Sequence, residues 1–364
     1  MNIVRSTRDY ERWLKSELDG DIVIADIKRK HEKMREGPLP FLRATYWRWA
    51  ETVLDVCPDL KTAPKVLAVG DIHIENYGTW RDIEGRLVWG VNDYDEAAEM
   101  PYALDLLRLA TSAVVAAVGG MTSGAVARSI LRGYREGLEH PHAFVLDQRY
   151  RRLRQEFEVP EEERAKFWQK MNPEANIRRA KKKRQARPPK RFMDALHAGR
   201  PEPVCDLAFW PRTAGAGSLG RPRWVGFGLW HGAPILREAK AIVPSGWVRA
   251  HGGSSKLRCL EISIGRYRAP DPWYRLKDGI AVRRLSPNNR KLDLTEVDGI
   301  SQLVNPEMLH AMGRDLAAIH LDTGRAATIA RDLDGRKRRW LRDATREAAA
   351  FVRREQREWR KATA

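Results

Sequence analysis

The stretch from Val66 to Asp105, VLAVGDIHIENYGTWRDIEGRLVWGVNDYDEAAEMPYALD, decides the fold. Its apolar run 66–69 ends at Gly70, and side chains able to hold a metal ion or a proton follow at once: Asp71, His73, Glu75, Asn76 and Tyr77. A second strand-like run, 87–91, leads into the acidic segment 92–96. Like charges held together cost free energy unless a cation offsets them. Two strand ends that both deliver carboxylates therefore predict an active site.

The composition predicts a soluble globular protein. With 364 residues, 43% apolar residues and 13 tryptophans, the chain can bury a large core, which argues against disorder. The formal net charge of +18 predicts attraction to anions such as nucleotides, nucleic acid or acidic membrane surfaces. The three cysteines are scattered and no apolar leader follows Met1. We therefore expect a cytoplasmic location and no membrane span.

Hydrophobic periodicity divides the chain into four parts. We expect an N-terminal helical segment (1–60), a helical lobe with the two strand ends and a charged linker (61–210), a β-rich lobe (211–300) and C-terminal helices (301–364). Helices are predicted at 9–18, 47–56, 101–137 with a break at 119–120, 254–268, 306–320 and 338–360. Strands are predicted at 66–69, 87–91, 224–230, 234–243 and 279–285. This mixture indicates an α+β fold.

The spacing of Asp71 and Asn76 suits phosphoryl transfer. That reaction needs an Asp that orients and deprotonates a hydroxyl, and an Asn oxygen that holds Mg²⁺. Asp93, at the end of the next strand, can supply a carboxylate that bridges a metal ion to nucleotide phosphates. The structural alternative is that Asp71 caps a helix and Asp93 closes a turn. Their joint position behind two apolar strands favours the functional interpretation.

The motif GDIHIEN resembles the catalytic loop of aminoglycoside and choline phosphotransferases, members of the protein-kinase-like superfamily, and VNDYDEA resembles their metal-binding strand end. This resemblance implies that Asp71 is the catalytic base and that Asn76 and Asp93 hold the metal. It also implies that Asp105, in PYALDLLRLA, supports the loop from beneath. One departure is Val69, which stands where these enzymes carry a histidine.

A glycine-rich segment further along resembles a kinase phosphate loop with its strand-borne lysine. The residues concerned are Gly215, Gly217, Ser218, Gly220 and Lys240. Glycines let backbone N–H groups approach phosphates, and such a lysine reaches the α- and β-phosphates. Glu261 is the candidate ion-pair partner of Lys240, whereas Glu238 is expected on the opposite face of the strand. The resemblance implies ATP and Mg²⁺ as cofactors.

The order of these parts differs from that in kinases, where the nucleotide-binding lobe precedes the catalytic loop. Here the glycine-rich segment follows it, and the helix that ends at His320 resembles the one that leads into the loop. The resemblance therefore implies a bilobal kinase-like fold in circularly permuted form. The same order, with KMREG and FLRA near the start, resembles the bacterial domain-of-unknown-function family 2252, most strongly over 31–112 and 211–245.

Three alternative functions stay open. The motif VLAVGDIHIEN also resembles the opening of calcineurin-like metallophosphoesterases, although no downstream Asn-His motif follows it. The basic run 178–191 is typical of a solvated linker, but it could contact nucleic acid or another anionic surface. A kinase-like scaffold that binds a nucleotide without turnover is the third. The acceptor, a small molecule or a protein, is not indicated by any motif.

Overall fold

The computed structural model describes residues 1–116, 120–182, 187–292 and 302–364. The helices up to residue 198 are α1 (Ile3–Glu17), α2 (Ile24–Glu36), α3 (Pro38–Ala44), α4 (Tyr46–Val56), α5 (Tyr102–Ala116), α6 (Ser123–Glu139), α7 (Arg151–Phe157), α8 (Glu161–Lys170), α9 (Pro173–Lys182) and α10 (Lys190–Ala198). Those beyond residue 198 are α11 (Gly246–His251), α12 (Cys259–Ser263), α13 (Pro306–His320), α14 (Ala326–Gly335) and α15 (Trp340–Ala362). The described helices fall in both halves of the chain.

The strands form three antiparallel sheets among the described residues. They are β1 (Lys65–Ala68), β2 (Tyr77–Arg81), β3 (Leu87–Val91), β4 (Ala98–Pro101), β5 (Phe144–Val145), β6 (Cys205–Pro211), β7 (Arg223–Trp230), β8 (Ala233–Ala241), β9 (Arg275–Lys277) and β10 (Ile280–Leu285). The sheet orders are β1-β4, β2-β3-β5 and β6-β7-β8-β10-β9. The fold is therefore α+β, as the sequence predicts.

The five-stranded sheet carries the glycine-rich turn between its first two strands. In its register Lys240 of β8 lies between Arg223 of β7 and Ala281 of β10. The sheet begins at Cys205 and its first strand ends at Pro211, so the boundary predicted at 210 falls inside that strand. The predicted strands of this region lie within a few residues of β7, β8 and β10.

Helices α5, α6, α13 and α15 pack together as the helical half of the molecule. Helix α5 is apolar on nearly every side and almost wholly buried, which is the pattern of a central helix. The side chain of Asn305 begins α13 by accepting a hydrogen bond from the Met308 N–H (2.9 Å), and Pro306 fills the first turn. The N–H of Tyr102 at the start of α5 donates to the Pro64 carbonyl just before β1, which seats α5 beside that strand.

Helices α1 to α4 join this helical half to the glycine-rich turn. The rings of Tyr10 (α1) and Trp47 (α4) stack with centroids 3.9 Å apart. The Val23 N–H donates to the Gly220 carbonyl (3.0 Å), and a Cβ on Gly220 would lie 2.5 Å from Ile27 Cδ1. The glycine at 220 therefore allows α2 to approach the turn closely.

One predicted helix is wrong in extent, and two helices are missed. The helix predicted at 254–268 is only the short α12, and Ile264, which follows it, is 57% exposed. The stretch 19–46, for which no element is predicted, contains α2 and α3. Pro38 and Pro40 lie in α3, since proline is well tolerated in the first turn of a helix. In the described part of the chain, no helix is both long and apolar enough to cross a membrane.

Candidate active site

Asp105 holds the loop after β1 from beneath. Its carboxylate accepts hydrogen bonds from the N–H groups of Val69 (2.7 Å) and Gly70 (3.0 Å), and it is fully buried. His320, at the end of α13, contacts the same carboxylate through Nε2 (3.1 Å), and its Nδ1 shares a hydrogen bond with Tyr134 (2.8 Å). Val69 stands where the phosphotransferases that the loop resembles carry a histidine. His320, more than 200 residues further along the chain, reaches the Asp105 carboxylate that anchors the loop.

Gly70 permits the sharp turn that follows. Its φ is +79°, and a Cβ there would lie 2.4 Å from the Glu96 carbonyl and 2.7 Å from the Tyr46 hydroxyl. A left-handed backbone in so close a space favours glycine over every other residue. The turn aims Asp71 away from the core, toward the glycine-rich turn.

Asp71 is paired with a buried arginine. Arg108 of α5 bonds to Asp71 Oδ1 through Nη2 and through Nε (3.2 Å), and it also donates to the Leu42 carbonyl (2.9 Å). The guanidinium lies between the rings of Tyr46 and Trp49, at 5.0 and 5.2 Å. Burial raises the pKa of Asp71 to about 7, although Arg108 acts in the opposite direction. An Asp with such a pKa can exchange a proton near neutral pH.

Asn76 ties the two predicted strand ends together. Its side-chain amide donates to the backbone carbonyls of Asp71 (3.2 Å) and Asp93 (3.1 Å). The same side chain is buried, whereas that of Asp93 is 35% exposed. Both donor hydrogens of the amide are thus engaged, and the amide oxygen remains as the group that could meet a cation.

The residues fit a cation that is shared with a phosphate ligand. Mg²⁺ is bound through one or two carboxylates together with substrate phosphates and water. Asp93 offers such a carboxylate, and Asn76, which is hydrogen-bonded to the Asp93 backbone carbonyl, offers an amide oxygen. Within the described ranges no group of three or more His, Cys, Asp or Glu side chains could hold a metal ion by itself. Asn76 and Asp93 are thus the residues that could hold a cation here.

Lys240 reaches this acidic segment from the five-stranded sheet. Its ammonium lies 3.5 Å from Asp93 Oδ1 and closer still to Asp95 Oδ2. Arg221 adds contacts to Asp95 (3.5 Å) and Glu96 (2.5 Å). Burial alone would raise the pKa of Asp93, but Lys240 and other nearby cations hold it well below its usual range. Asp93 is therefore ionised at neutral pH, as a metal ligand must be.

The predicted partner of Lys240 is wrong. Glu261 pairs with Arg258 (2.6 Å) and Lys256 (3.3 Å) near the surface. Glu238 was expected on the opposite face of β8, but residues two apart on a strand share a face, and Glu238 lines the same small cavity as Lys240. It is fully buried among three arginines: Arg212, Arg223 and Arg283. These cations hold the pKa of Glu238 well below its usual range against the effect of burial.

The glycine-rich turn lies directly against Asp71. A Cβ on Gly217 would be 2.9 Å from Asp71 Oδ2 and 3.2 Å from the Arg43 carbonyl. Gly215, with φ +74°, lines a cavity beside the turn. Ser218 instead accepts a hydrogen bond from Arg223 (2.7 Å), and Gly220 faces α2. Of the four predicted phosphate-loop residues, two thus face the site and two support the turn itself.

Lys30, which no sequence motif indicates, fastens the turn. Its ammonium is completely buried and donates to the Gly217 carbonyl (2.9 Å). The rings of Tyr10 and Trp47 each lie 5.3 Å from it. Burial lowers the pKa of Lys30 to about 7. An amphipathic helix normally exposes its lysines, so the sequence pattern of α2 gives no sign of this contact.

Two cavities flank the site. The first, of about 290 Å³, is called the aromatic cavity and is lined by Trp80, Phe167, Tyr274, Asn92, Arg283 and Lys291 among others. It shares the lining residues Asn92, Tyr274 and Arg283 with a space of about 10 Å³ beside Asp93 and Lys240. The second, of about 620 Å³, is called the basic cavity; its walls are α2, α3, Glu75, the end of α5, Lys170 and the glycine-rich turn. Two consecutive residues line different cavities, Arg212 the aromatic cavity and Thr213 the basic cavity.

The basic run 178–191 is only partly described. Residues 178–182 complete α9, residues 183–186 lie outside the described residues, and residues 190–191 begin α10. Arg191 contacts Asp21 (3.3 Å) and Asp19 (3.9 Å). Within the part described, the run therefore forms helix ends, and Arg191 pairs with aspartates between α1 and α2.

These features define an α+β protein in which two acidic strand ends meet a lysine and a glycine-rich turn from a separate sheet. Residues 23–200 match the sequence model of the family described as "Uncharacterized protein conserved in bacteria (DUF2252)". The match supports the resemblance to this family and includes Asp71, Asn76 and Asp93, but it ends before the five-stranded sheet. No curated protein and no solved structure shows a significant match to the chain.

Proposed function

We propose that the protein is an ATP-dependent phosphotransferase that transfers a phosphoryl group to a hydroxyl acceptor. The single observation that carries this proposal is that residues far apart in the sequence come together in the fold. Lys240 and Gly217, which lie more than 120 residues from the acidic stretch, contact Asp93 and Asp71 respectively. Phosphoryl transfer depends mainly on the positioning of groups and on stabilising the negative charge of the transferred phosphoryl group.

Each group has a role in this proposal. Lys240 and the N–H groups of the glycine-rich turn neutralise and hold the phosphates, with the base of the nucleotide in the aromatic cavity. Asn76 and Asp93 hold Mg²⁺, which when bound offsets the charge of the transferred group. Asp71 orients the acceptor hydroxyl and takes its proton, and its raised pKa suits that exchange.

We further infer that the arrangement is kinase-like and circularly permuted. In kinases a glycine-rich loop covers the phosphates, and the phosphate-binding lysine is on the third strand of the same sheet. Here the turn joins the first two strands and Lys240 lies on the third. In addition, α13 packs against β1, which leads into the Asp71 loop. These two observations support the permutation.

A nucleotide-binding scaffold without turnover is the second candidate. It is favoured by the engagement of Asp71 Oδ1, which accepts hydrogen bonds from Arg108 Nε (3.2 Å) and Nη2. A scaffold would bind the nucleotide in the same place but leave Asp71 engaged. Binding and turnover must therefore be measured separately.

The test combines a thermal-shift assay with an assay of ADP release. Mg-ATP at 100 times its dissociation constant stabilises a native state by about 2.7 kcal/mol. We expect this stabilisation in the wild type and in the control Lys277→Ala, an exposed lysine of the same sheet. We expect its loss in Lys240→Ala and Asp93→Asn, each compared with its own unliganded melting temperature.

The outcomes separate the candidates. ADP release that Asp71→Asn abolishes supports the phosphotransferase, and stabilisation without ADP release supports the scaffold. No shift with Mg-ATP would contradict both. A shift with Mn²⁺ alone would favour a phosphoesterase, and a shift with an oligonucleotide that disappears at high salt would favour nucleic-acid binding.

A further inference from the structure

We infer that the basic cavity binds the phosphoryl acceptor and that this acceptor is an anion, a hydroxylated carboxylate or phosphate ester. That the bound molecule is the phosphoryl acceptor rests on the proposed function. That it is an anion rests on the residues that line the cavity. It departs from the resemblance to aminoglycoside and choline phosphotransferases, whose named substrates are cations.

The cavity borders the loop that carries Asp71. Glu75, four positions after Asp71 on this loop, lines the cavity, and so do Arg43 and the glycine-rich turn. Gly217 of that turn lies against Asp71, because a Cβ on it would be 2.9 Å from Asp71 Oδ2 and 3.2 Å from the Arg43 carbonyl. Lys240 and Asp93 line a different space, that of about 10 Å³. An acceptor in the basic cavity would thus lie next to the loop and the turn that hold Asp71, apart from the groups proposed for the nucleotide.

The charges that line the cavity are predominantly positive. Four cations (Arg29, Lys33, Arg43 and Lys170) face two carboxylates (Glu36 and Glu75). Lys33 pairs with Glu36 at 2.8 Å and Arg43 pairs with Glu75 at 2.5 Å. In the described part of the chain, Arg29 and Lys170 make no ion pair. Both side chains are exposed and line the cavity, so they are available to an anion.

The guanidinium of Arg43 adds a further positive group to the cavity. Its Nη1 pairs with Glu75 (2.5 Å), and its side chain is 25% exposed at the cavity wall. Guanidinium groups bind carboxylates and phosphates with two parallel hydrogen bonds. The remaining wall is apolar and comes from Leu39, Leu219, Val115 and Ala116. The cavity therefore suits a molecule with an anionic end and a less polar body.

The test uses probes that share a scaffold and differ in charge. Gluconate, glucose and glucosamine form one set, and glycerol phosphate and glycerol form another. Binding is measured by thermal shift of the full chain. We expect gluconate and glycerol phosphate to stabilise the wild type, and glucose, glycerol and glucosamine to have little effect. The double variant Arg29→Glu/Lys170→Glu should bind the anions at least about tenfold more weakly.

A matched control guards against a general effect of net charge. Lys28→Glu/Lys166→Glu changes exposed lysines on the same two helices, and neither residue lines the cavity. This control should bind the anions like the wild type. Equal or stronger stabilisation by glucosamine, unchanged affinity in the Arg29/Lys170 variant, or no shift with either anion would overturn the inference.

Failure of the acceptor inference and failure of the proposed function give different results. If Mg-ATP stabilises the protein through Lys240 but the anions do not bind, only the acceptor inference is wrong. If the anions bind through Arg29 and Lys170 while Mg-ATP does not, the anion site stands and the phosphotransferase proposal fails. Support for both requires that a stabilising anion also increases ADP release.

Discussion

Asp71 makes the proposed reaction dependent on pH. Burial raises the pKa of its carboxyl to about 7, and a base must be ionised to accept a proton. We predict that kcat/KM for ADP release increases roughly tenfold per pH unit below about pH 7 and levels off above it. A flat profile between pH 5 and 8 would contradict the role of Asp71 as the base.

The free energy of unfolding also depends on the ionisation of the Asp71 carboxyl, and the direction of this dependence follows from the raised pKa. Its pKa in the folded protein exceeds the value of about 3.9 expected in the unfolded chain. Asp71 therefore contributes stability that is fully present below about pH 4 and is lost as the pH rises through about 7. The difference in free energy of unfolding between wild type and Asp71→Asn should decrease across this window. The exposed Asp55→Asn is the control.

Asp105 is the residue whose loss should disturb the site most. Replacing it with alanine leaves two buried N–H groups, those of Val69 and Gly70, without their acceptor and removes the partner of His320. We predict that Asp105→Ala lowers the free energy of unfolding by about 3–5 kcal/mol. Urea unfolding measures this, with Asp55→Ala on the surface of α4 as control. A loss below about 1 kcal/mol would show that the loop is held by other contacts.

The sequence indicated candidate site residues where a motif or an apolar strand run leads directly to them, including the distant Gly217 and Lys240. Asp71, Asn76, Asp93 and Asp105 could be found because apolar runs of recognisable strands lead directly to them. Arg108, Lys30 and Arg221 could not, since each meets its partner only after folding. The sequence does not distinguish a buried arginine from an exposed one. In a chain with net charge +18, a single arginine or lysine therefore does not stand out as a candidate. The wrong partner assigned to Lys240 has the same cause.

The close packing of helices α6 and α13 depends on the glycines at their crossing. A Cβ on Gly133 would lie 1.9 Å from the His310 carbonyl, and one on Gly313 would lie 2.3 Å from the Ile130 carbonyl. We predict that Gly133→Ala forces the helices apart and costs about 1–3 kcal/mol or more in urea unfolding. It should also weaken Mg-ATP binding, because α13 positions His320 against Asp105.

The control for this substitution is Gly335→Ala at the end of α14. A Cβ there meets no atom within 4 Å. Reduced freedom of the unfolded chain should leave the control neutral or stabilised by about 0.4–1 kcal/mol. Equal effects of the two substitutions would contradict the packing argument.

Helices could be predicted from the sequence where the hydrophobic periodicity is strong and capping residues mark the ends. Helix α13 matches its prediction because Asn305 and Pro306 mark its start and the apolar stripe continues to His320. The prediction at 254–268 failed because the serines at its start do not cap a helix and the residues before α12 form a loop. Periodicity alone could not show that the β-rich part packs its turn against the acidic loop.

The molecule as a whole is held together by buried pairs that join distant parts of the chain. Glu96 binds Arg221 and the Gly246 N–H, Asp105 binds His320, and Arg48 binds Glu355. A broken pair of this kind costs far more than a surface ion pair, because one charge is left buried. Residues before and after position 200 are thus both needed to complete the candidate site, although the family match ends at residue 200.

We predict that residues 1–200 do not fold alone, although they contain the whole family match. In the full chain α13 and α15 cover α5 and α6, so the fragment would expose a large apolar face. It should bind a hydrophobic dye and show no cooperative urea transition, whereas the full chain unfolds cooperatively. Co-expression with residues 201–364 should restore the transition and Mg-ATP stabilisation. A cooperative transition of the fragment alone, with an m-value suited to its size, would refute this dependence.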